Sequence, residues 1–204
     1  MAREKKRNSA VYQFRIVLKD IEPPVWRRIQ VPLTYSFWDL HIAIQDAMGW
    51  TDTHLHEFVL TDPKSGRDLH IGIPDEDLEF DSRTLPGWKK RISDFFLKEN
   101  TEAEYVYDFG DNWVHSIIFE KSLPYAEGPE YPQCIEGERA CPPEDCGGPD
   151  GYQDFLEAIM DPDDERHNEF LDWVDGDFAP EEFYCDEVVF DNPAKRLKML
   201  KEQF

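Results

Sequence analysis

The sequence predicts an α+β fold: a mostly antiparallel sheet with a helix packed on it, then a cysteine- and proline-rich loop and a helical C-terminal part. Three observations carry this. Tyr12, Phe14, Ile16 and Leu18 alternate with polar neighbours, the period of two of a half-buried strand. Phe37, Leu40, Ile44 and Met48 then recur at helical spacing. Further on, residues 105–120 place two alternating aromatic and β-branched runs around Gly110-Asp111-Asn112, which is hairpin turn chemistry.

Glu22-Pro23-Pro24 ends the first strand, because proline cannot donate to a ladder and restricts the residue before it. Residues 25–31 resume in extended form with Arg27 and Arg28 on opposite faces, placed either to bind an anionic ligand or to balance nearby carboxylates. Ser36 and Asp39 form a capping-box pattern for the helix over 36–48, and Gly49 is its natural stop. His54, His56, Phe58 and Leu60 are expected to share one face of a third strand, with a turn at residues 62–66 and a partner strand at 69–73. Residues 74–88 read as an acidic loop and 92–97 as a short helix. In the hairpin that follows, Gly110 is expected to carry the positive φ of the turn, and Trp113, His115, Ile117 and Phe119 share a face. This gives five or six strands between residues 11 and 121.

Residues 122–151 hold six prolines and three of the four cysteines and are expected to form a long irregular loop, which in a domain is usually functional or a linker. Helices are predicted at 152–160, 165–174 and 191–200, with a first helical turn at Pro180-Glu181-Glu182. Because Tyr152, Phe155, Leu156, Phe170 and Trp173 need an apolar partner, residues 11–204 are expected to form one cooperative unit, preceded by a disordered basic tail at 1–10.

Charge restricts the partners. The 204 residues carry a formal charge of −22, and residues 122–204 alone contain 23 acidic against six basic side chains. Such a surface repels phosphate backbones, so direct nucleic-acid binding is disfavoured and a basic protein partner fits better. Apolar runs never exceed three residues, which leaves neither a membrane span nor the apolar core of a secretion signal. A cytoplasmic protein with reduced cysteines is expected.

Three groups of residues invite chemistry. Cys134, Cys141 and Cys146 fall within thirteen residues of the loop. The second spacing suits structural zinc and the first is longer than usual. A zinc ion on these thiolates would take His115 or Cys185 as fourth ligand, and the alternative is three ordinary thiols. Pro142-Pro143 and Gly147-Gly148 shape the loop so that Cys134 and Cys141 should lie close together. His115, near Asp108 and Asp111 in sequence, forms a set able to hold Mg²⁺ or Mn²⁺ for hydrolysis, whereas the two aspartates alone read as turn chemistry. His54 and His56 serve either as ligands from one strand face or as core-edge histidines. Glu144-Asp145 either adds a ligand or caps the next helix. No phosphate-binding loop, dinucleotide glycine motif or nucleophile elbow is present.

Five blocks, in order, resemble the plasmid pRiA4b ORF-3-like family. The first joins Tyr12-Gln13-Phe14-Arg15-Ile16 to Pro24-Val25-Trp26-Arg27-Arg28. The second runs from Leu40-His41 through Gly49-Trp50 to His54-Leu55-His56-Glu57-Phe58. The third is Tyr107-Asp108-Phe109-Gly110-Asp111-Asn112-Trp113-Val114-His115. The fourth is Arg139-Ala140-Cys141-Pro142-Pro143-Glu144-Asp145-Cys146-Gly147-Gly148-Pro149 with Gly151-Tyr152 and Phe155, and the fifth Phe178-Ala179-Pro180-Glu181-Glu182-Phe183. The resemblance implies a single α+β domain carried by plasmids and mobile elements. Three roles follow as expectations: a non-enzymatic binding or accessory module, a metal-dependent hydrolase or nuclease using His115 with Asp108 and Asp111, and a structural zinc domain presenting its acidic surface to a basic protein.

Overall fold

The computed structural model describes residues 10–74, 84–176 and 178–202. The basic tail therefore lies outside the described residues except for Ala10, as does most of the acidic stretch at 74–88.

Eight strands form one sheet: β1 (Ala10–Leu18), β2 (Trp26–Pro32), β3 (His56–Thr61), β4 (Asp68–Gly72), β5 (Thr84–Pro86), β6 (Thr101–Tyr107), β7 (Trp113–Pro124) and β8 (Gln133–Glu138). Their order is β5-β4-β3-β6-β7-β1-β2-β8, and only β4 and β5 run parallel. The central register follows the apolar alternation, pairing Phe14 with Phe119 and Ile16 with Ile117 across β1 and β7. A one-residue slip would turn these rings to the opposite face.

Helix α1 (Phe37–Met48) covers the sheet. Ser36 Oγ accepts from Asp39 N at 3.2 Å, and Asp39 Oδ2 accepts from Ser36 N at 2.7 Å, completing the capping box. Gly49, at φ 92°, ends the helix. The apolar side of α1 enters a core with Phe14, Ile16, Phe58 and Ile117. Each wholly buried residue of this type contributes roughly 1.5–3 kcal/mol relative to exposure.

The expected loop at 122–151 is corrected in two places. β7 runs on to Pro124, β8 lies inside the supposed loop, and β5 lies inside the stretch at 74–88 expected to be an acidic loop, so the sheet has eight strands among the described residues rather than five or six. β8 shows no apolar alternation because it is an edge strand whose Ile135 is exposed. It is held by its backbone ladder to β2, which leaves no side-chain period to read. The stretch at 92–97 forms only a single 3₁₀ turn (Ile92–Asp94) that tucks Phe96 into the core.

Three further helices follow: α2 (Gly148–Met160), α3 (His167–Trp173) and α4 (Pro193–Lys201). α3 begins later than expected, because Asp164 N bonds to Asp161 O and His167 N to Asp164 O in successive turns. Asn192 Oδ1 caps α4 by accepting from Ala194 N and Lys195 N. Pro180-Glu181-Glu182 is a turn rather than a helix start. Tyr152 and Phe155 of α2 share the sheet's core, and Phe155 meets Phe170 of α3 edge to face at 5.4 Å. α4 docks on α1 through Trp38 Nε1, which donates to Pro193 O at 2.9 Å.

The hairpin turn lies where expected, but its strain does not. Positive φ falls on Asp108 (56°) and Asn112 (56°) and not on Gly110. Asp108 Oδ1 accepts from Gly110 N at 2.9 Å, so an aspartate bonding its own backbone shapes the turn. The glycine that the turn itself requires is Gly148, at φ +71°, where an added Cβ would lie 2.5 Å from Asp111 O. We expect Gly148→Ala to cost more than about 2 kcal/mol, and Gly110→Ala about 1 kcal/mol or less. Equal urea midpoints for the two variants would show the loop to be free of the hairpin.

Candidate functional site

Three segments meet at one end of the sheet: residues 51–54 before β3, the turn at 108–112, and the loop at 141–148. Trp50 starts the assembly. Its indole stacks on Tyr107 at 5.0 Å and donates from Nε1 to Pro142 O at 2.9 Å. Glu144 then fastens the loop: its carboxylate accepts from Thr51 N at 3.0 Å, from the Thr51 and Thr53 hydroxyls, and from Tyr107 OH. Tyr107 OH in turn accepts from Thr53 N at 3.1 Å. Burial, and then the bond to Glu144, raise the Tyr107 pKa, so the phenol remains a donor. Asp111 Oδ2 accepts from Gly147 N at 3.0 Å and ties the far end of the loop to the turn.

This frame brings His54, Asp108 and Asp145 together. His54 Nε2 lies 3.0 Å from Asp145 Oδ1 and 3.7 Å from Asp108 Oδ2. The nitrogen is buried, yet its direction completes no hydrogen bond to either oxygen. Asp108 and Asp145 both sit at positive φ, 56° and 60°, a conformation that persists only where its surroundings impose it. One imidazole and two carboxylates, with ligand atoms all within 4.8 Å of one another, form a donor set for Zn²⁺ or Mn²⁺. Asp145 also lines an open cavity of about 560 Å³ with Cys146, Glu169, Phe170, Asp172 and Trp173.

The sequence-predicted groupings are distributed differently. His115 is wholly buried, with Nδ1 3.1 Å from Trp113 O and 3.3 Å from Tyr105 O, and it does not join Asp108 or Asp111. Strand alternation turns it inward, edge-on to Trp50. His54 precedes β3 instead of sharing its face, whereas His56 is buried on β3. Among the described residues, the two sets of three or more ligand atoms within 4.8 Å contain no thiol. Cys134 Sγ donates to Glu136 O at 3.7 Å and lies near Cys185, and Cys141 lies near Cys146. Cys146 lies near Asp111 and Asp145, and the Arg27 guanidinium stands among Cys134, Cys141 and Cys185. Burial raises the Cys134 and Cys146 thiols to about 12. The buried Arg27 cation thus stands near three of the four sulfurs.

Arg27 is 1 % exposed and bonds to the carbonyls of Ala47, Trp26 and Glu138 beneath the Phe183 ring, 3.5 Å from its centroid. It thus serves neither of the roles its position in the sequence offered. A second buried set joins His56, which the sequence offered as a ligand, to His41 and Asp52, which it did not single out. Its one visible signal was a histidine on the apolar side of α1. The His41 and His56 rings stack at 3.4 Å and 9°, so an ion in the plane of one lies outside the plane of the other. His41 Nε2 meets Asp52 Oδ1 at 2.7 Å and Nδ1 meets Tyr105 OH at 2.8 Å, while neither nitrogen of His56 has a partner.

The second, third and fourth blocks of the family resemblance are the segments that meet at the site. The profile of the plasmid pRiA4b ORF-3-like protein family matches residues 10–187. The uncharacterized protein y4hQ of Sinorhizobium fredii is 43 % identical over 171 residues, covering 81 % of each chain. The crystal structure of a protein of unknown function, MM3350 from Methanosarcina mazei Go1, superposes with a TM-score of 0.81 at 42 % identity, covering 89 % of this chain and 99 % of that one. No helix among the described residues is long and apolar enough to cross a membrane.

Burial holds His115 neutral down to about 4, against the opposing effect of its carbonyl contacts. It also lowers His41 and, with help from His41, depresses His56 further. Folded values below the unfolded one mean that the unfolded chain binds more protons, so this stability is complete above pH 6.5 and falls as pH drops. His115 alone loses about 3 kcal/mol by pH 4. Asp46, raised to about 6 by burial, works in the opposite sense between its unfolded value and pH 6. Three rings against one carboxyl predict a lower urea midpoint at pH 5 than at pH 7.5. An unchanged midpoint would mean that the rings do not stay neutral in the fold.

Proposed function

This chain belongs to the plasmid pRiA4b ORF-3-like family, and on that premise we propose that it is a divalent-cation-binding accessory module of plasmids and other mobile elements. The ion is held by His54, Asp108 and Asp145. The observation that carries this reading is His54 Nε2, buried without a hydrogen bond between two carboxylate oxygens at 3.0 and 3.7 Å. A cation there would satisfy the nitrogen, offset the repulsion between the carboxylates, and fix the loop that brings Asp145 to the turn. The zinc expected on the thiols belongs on this reading to His54 and its carboxylates, whose donor atoms converge.

A basic protein partner is supported by the adjoining cavity. Asp145, Glu169 and Asp172 supply negative charge, and Phe170 and Trp173 supply ring faces, the combination that receives a lysine or arginine side chain. The hydrolytic alternative passes to the same ion, because three protein ligands leave coordination positions for water. Phosphodiester turnover that disappears in His54→Ala would make the module an enzyme.

Calorimetric titration of chelator-stripped protein with Zn²⁺ and Mn²⁺ tests the reading. One ion should bind per chain, with affinity falling at least about tenfold in His54→Ala and Asp108→Asn, while Cys134→Ser binds as the parent does. Equal affinity in all four proteins removes the cation from this site.

A further inference from the structure

We propose that Cys134 and Cys185 form a reversible disulfide that locks the segment at 179–187 onto the edge strand β8. This rests on a different part of the molecule from the cation site. The two thiols are half-buried neighbours, and Cys134 Sγ donates to Glu136 O at 3.7 Å. The 3₁₀ turn Cys185–Glu187 packs directly on β8, which bears Cys134.

The segment is already laid in place. Ala140 N donates to Pro180 O at 3.0 Å, and Arg139 Nη2 meets Glu181 Oε1 at 2.7 Å. Phe183 lies over Arg27 and against Gly137, where a Cβ would come within 2.5 Å of the ring. The docked segment therefore keeps the two thiols near each other before any bond forms, which lowers the entropy cost that makes most random thiol pairs poor partners. The Arg27 guanidinium stands near both sulfurs and offsets part of the burial that raises the Cys134 thiol.

The oxidant is a small-molecule disulfide such as oxidised glutathione. One cysteine gives up its proton and attacks a glutathione sulfur, breaking that S–S bond and releasing one glutathione thiolate, which is then protonated. The second cysteine, deprotonated in turn, attacks the protein sulfur of the mixed disulfide and expels the other glutathione. Two cysteine sulfurs are oxidised, one glutathione disulfide is reduced, and both protons leave on the two glutathiones.

Full-length reduced protein incubated in a glutathione redox buffer should lose about 2 Da, and digestion should yield a peptide joining Cys134 to Cys185. Because the bond closes a long loop, the melting temperature should rise by about 5–15 °C and return on reduction. Cys134→Ser and Cys185→Ser should instead retain a glutathione adduct and show no rise, while Cys141→Ser forms the cross-link as the parent does. A bridge between Cys141 and Cys146, a disulfide between chains, or a parent that stays reduced in a buffer that oxidises its urea-unfolded form would each overturn the proposal.

Discussion

The Glu144 carboxylate is the interaction on which the site depends. It accepts from a backbone amide, two threonine hydroxyls and a tyrosine hydroxyl drawn from two otherwise separate segments. An anion receiving several hydrogen bonds at a partly buried position is among the stronger polar anchors available to a fold. With Glu144 fixed, its neighbour Asp145 has little freedom. A positive φ aims that side chain at His54, and Gly147 and Gly148 turn the chain into α2 across the hairpin. A loop with no apolar core of its own thereby acquires a defined shape from polar contacts to a rigid sheet.

The sheet can act as that rigid partner because its core is aromatic and tightly interlocked, but the core is not wholly apolar. His41, His56 and His115 lie fully inside, and Arg27 passes through to the carbonyls at the end of α1 and the end of β8. Each unpartnered buried nitrogen costs roughly 1–3 kcal/mol, and stacked neutral imidazoles are tolerable only while neither is charged. Arg27 is secured instead by three backbone carbonyls and a ring face. Guanidinium is well suited to this because its donors are fixed in a fork and its charge is weakly hydrated.

Two ends of the molecule are thus held by different means. At the hairpin end, carboxylates and hydroxyls order the loop. At the β8 edge, the segment at 179–187 supplies Phe183, Glu181 and Cys185 to cover an otherwise open strand. Covering an edge in this way also protects its free backbone groups from pairing with another chain.

The amino-acid sequence by itself determined the elements whose periodicity is imposed by burial. β1, α1 with its capping box and glycine stop, and the β6–β7 hairpin all read correctly, because alternating or helical apolar spacing is the direct imprint of one buried face. The resemblance blocks also marked the segments that form the site. Tertiary structure alone decided the rest. β8 is held by backbone bonds that leave no side-chain signature, and the turn strain went to Asp108 because an Asx bond there outweighs glycine's freedom at Gly110. The pairing of His54 with Asp145 depends on a loop folding back across the sheet, a contact between residues far apart in sequence that local spacing cannot encode. Three cysteines were grouped by proximity along the chain; that Cys134 neighbours Cys185, and that Arg27 stands near Cys134, Cys141 and Cys185, only the fold decided.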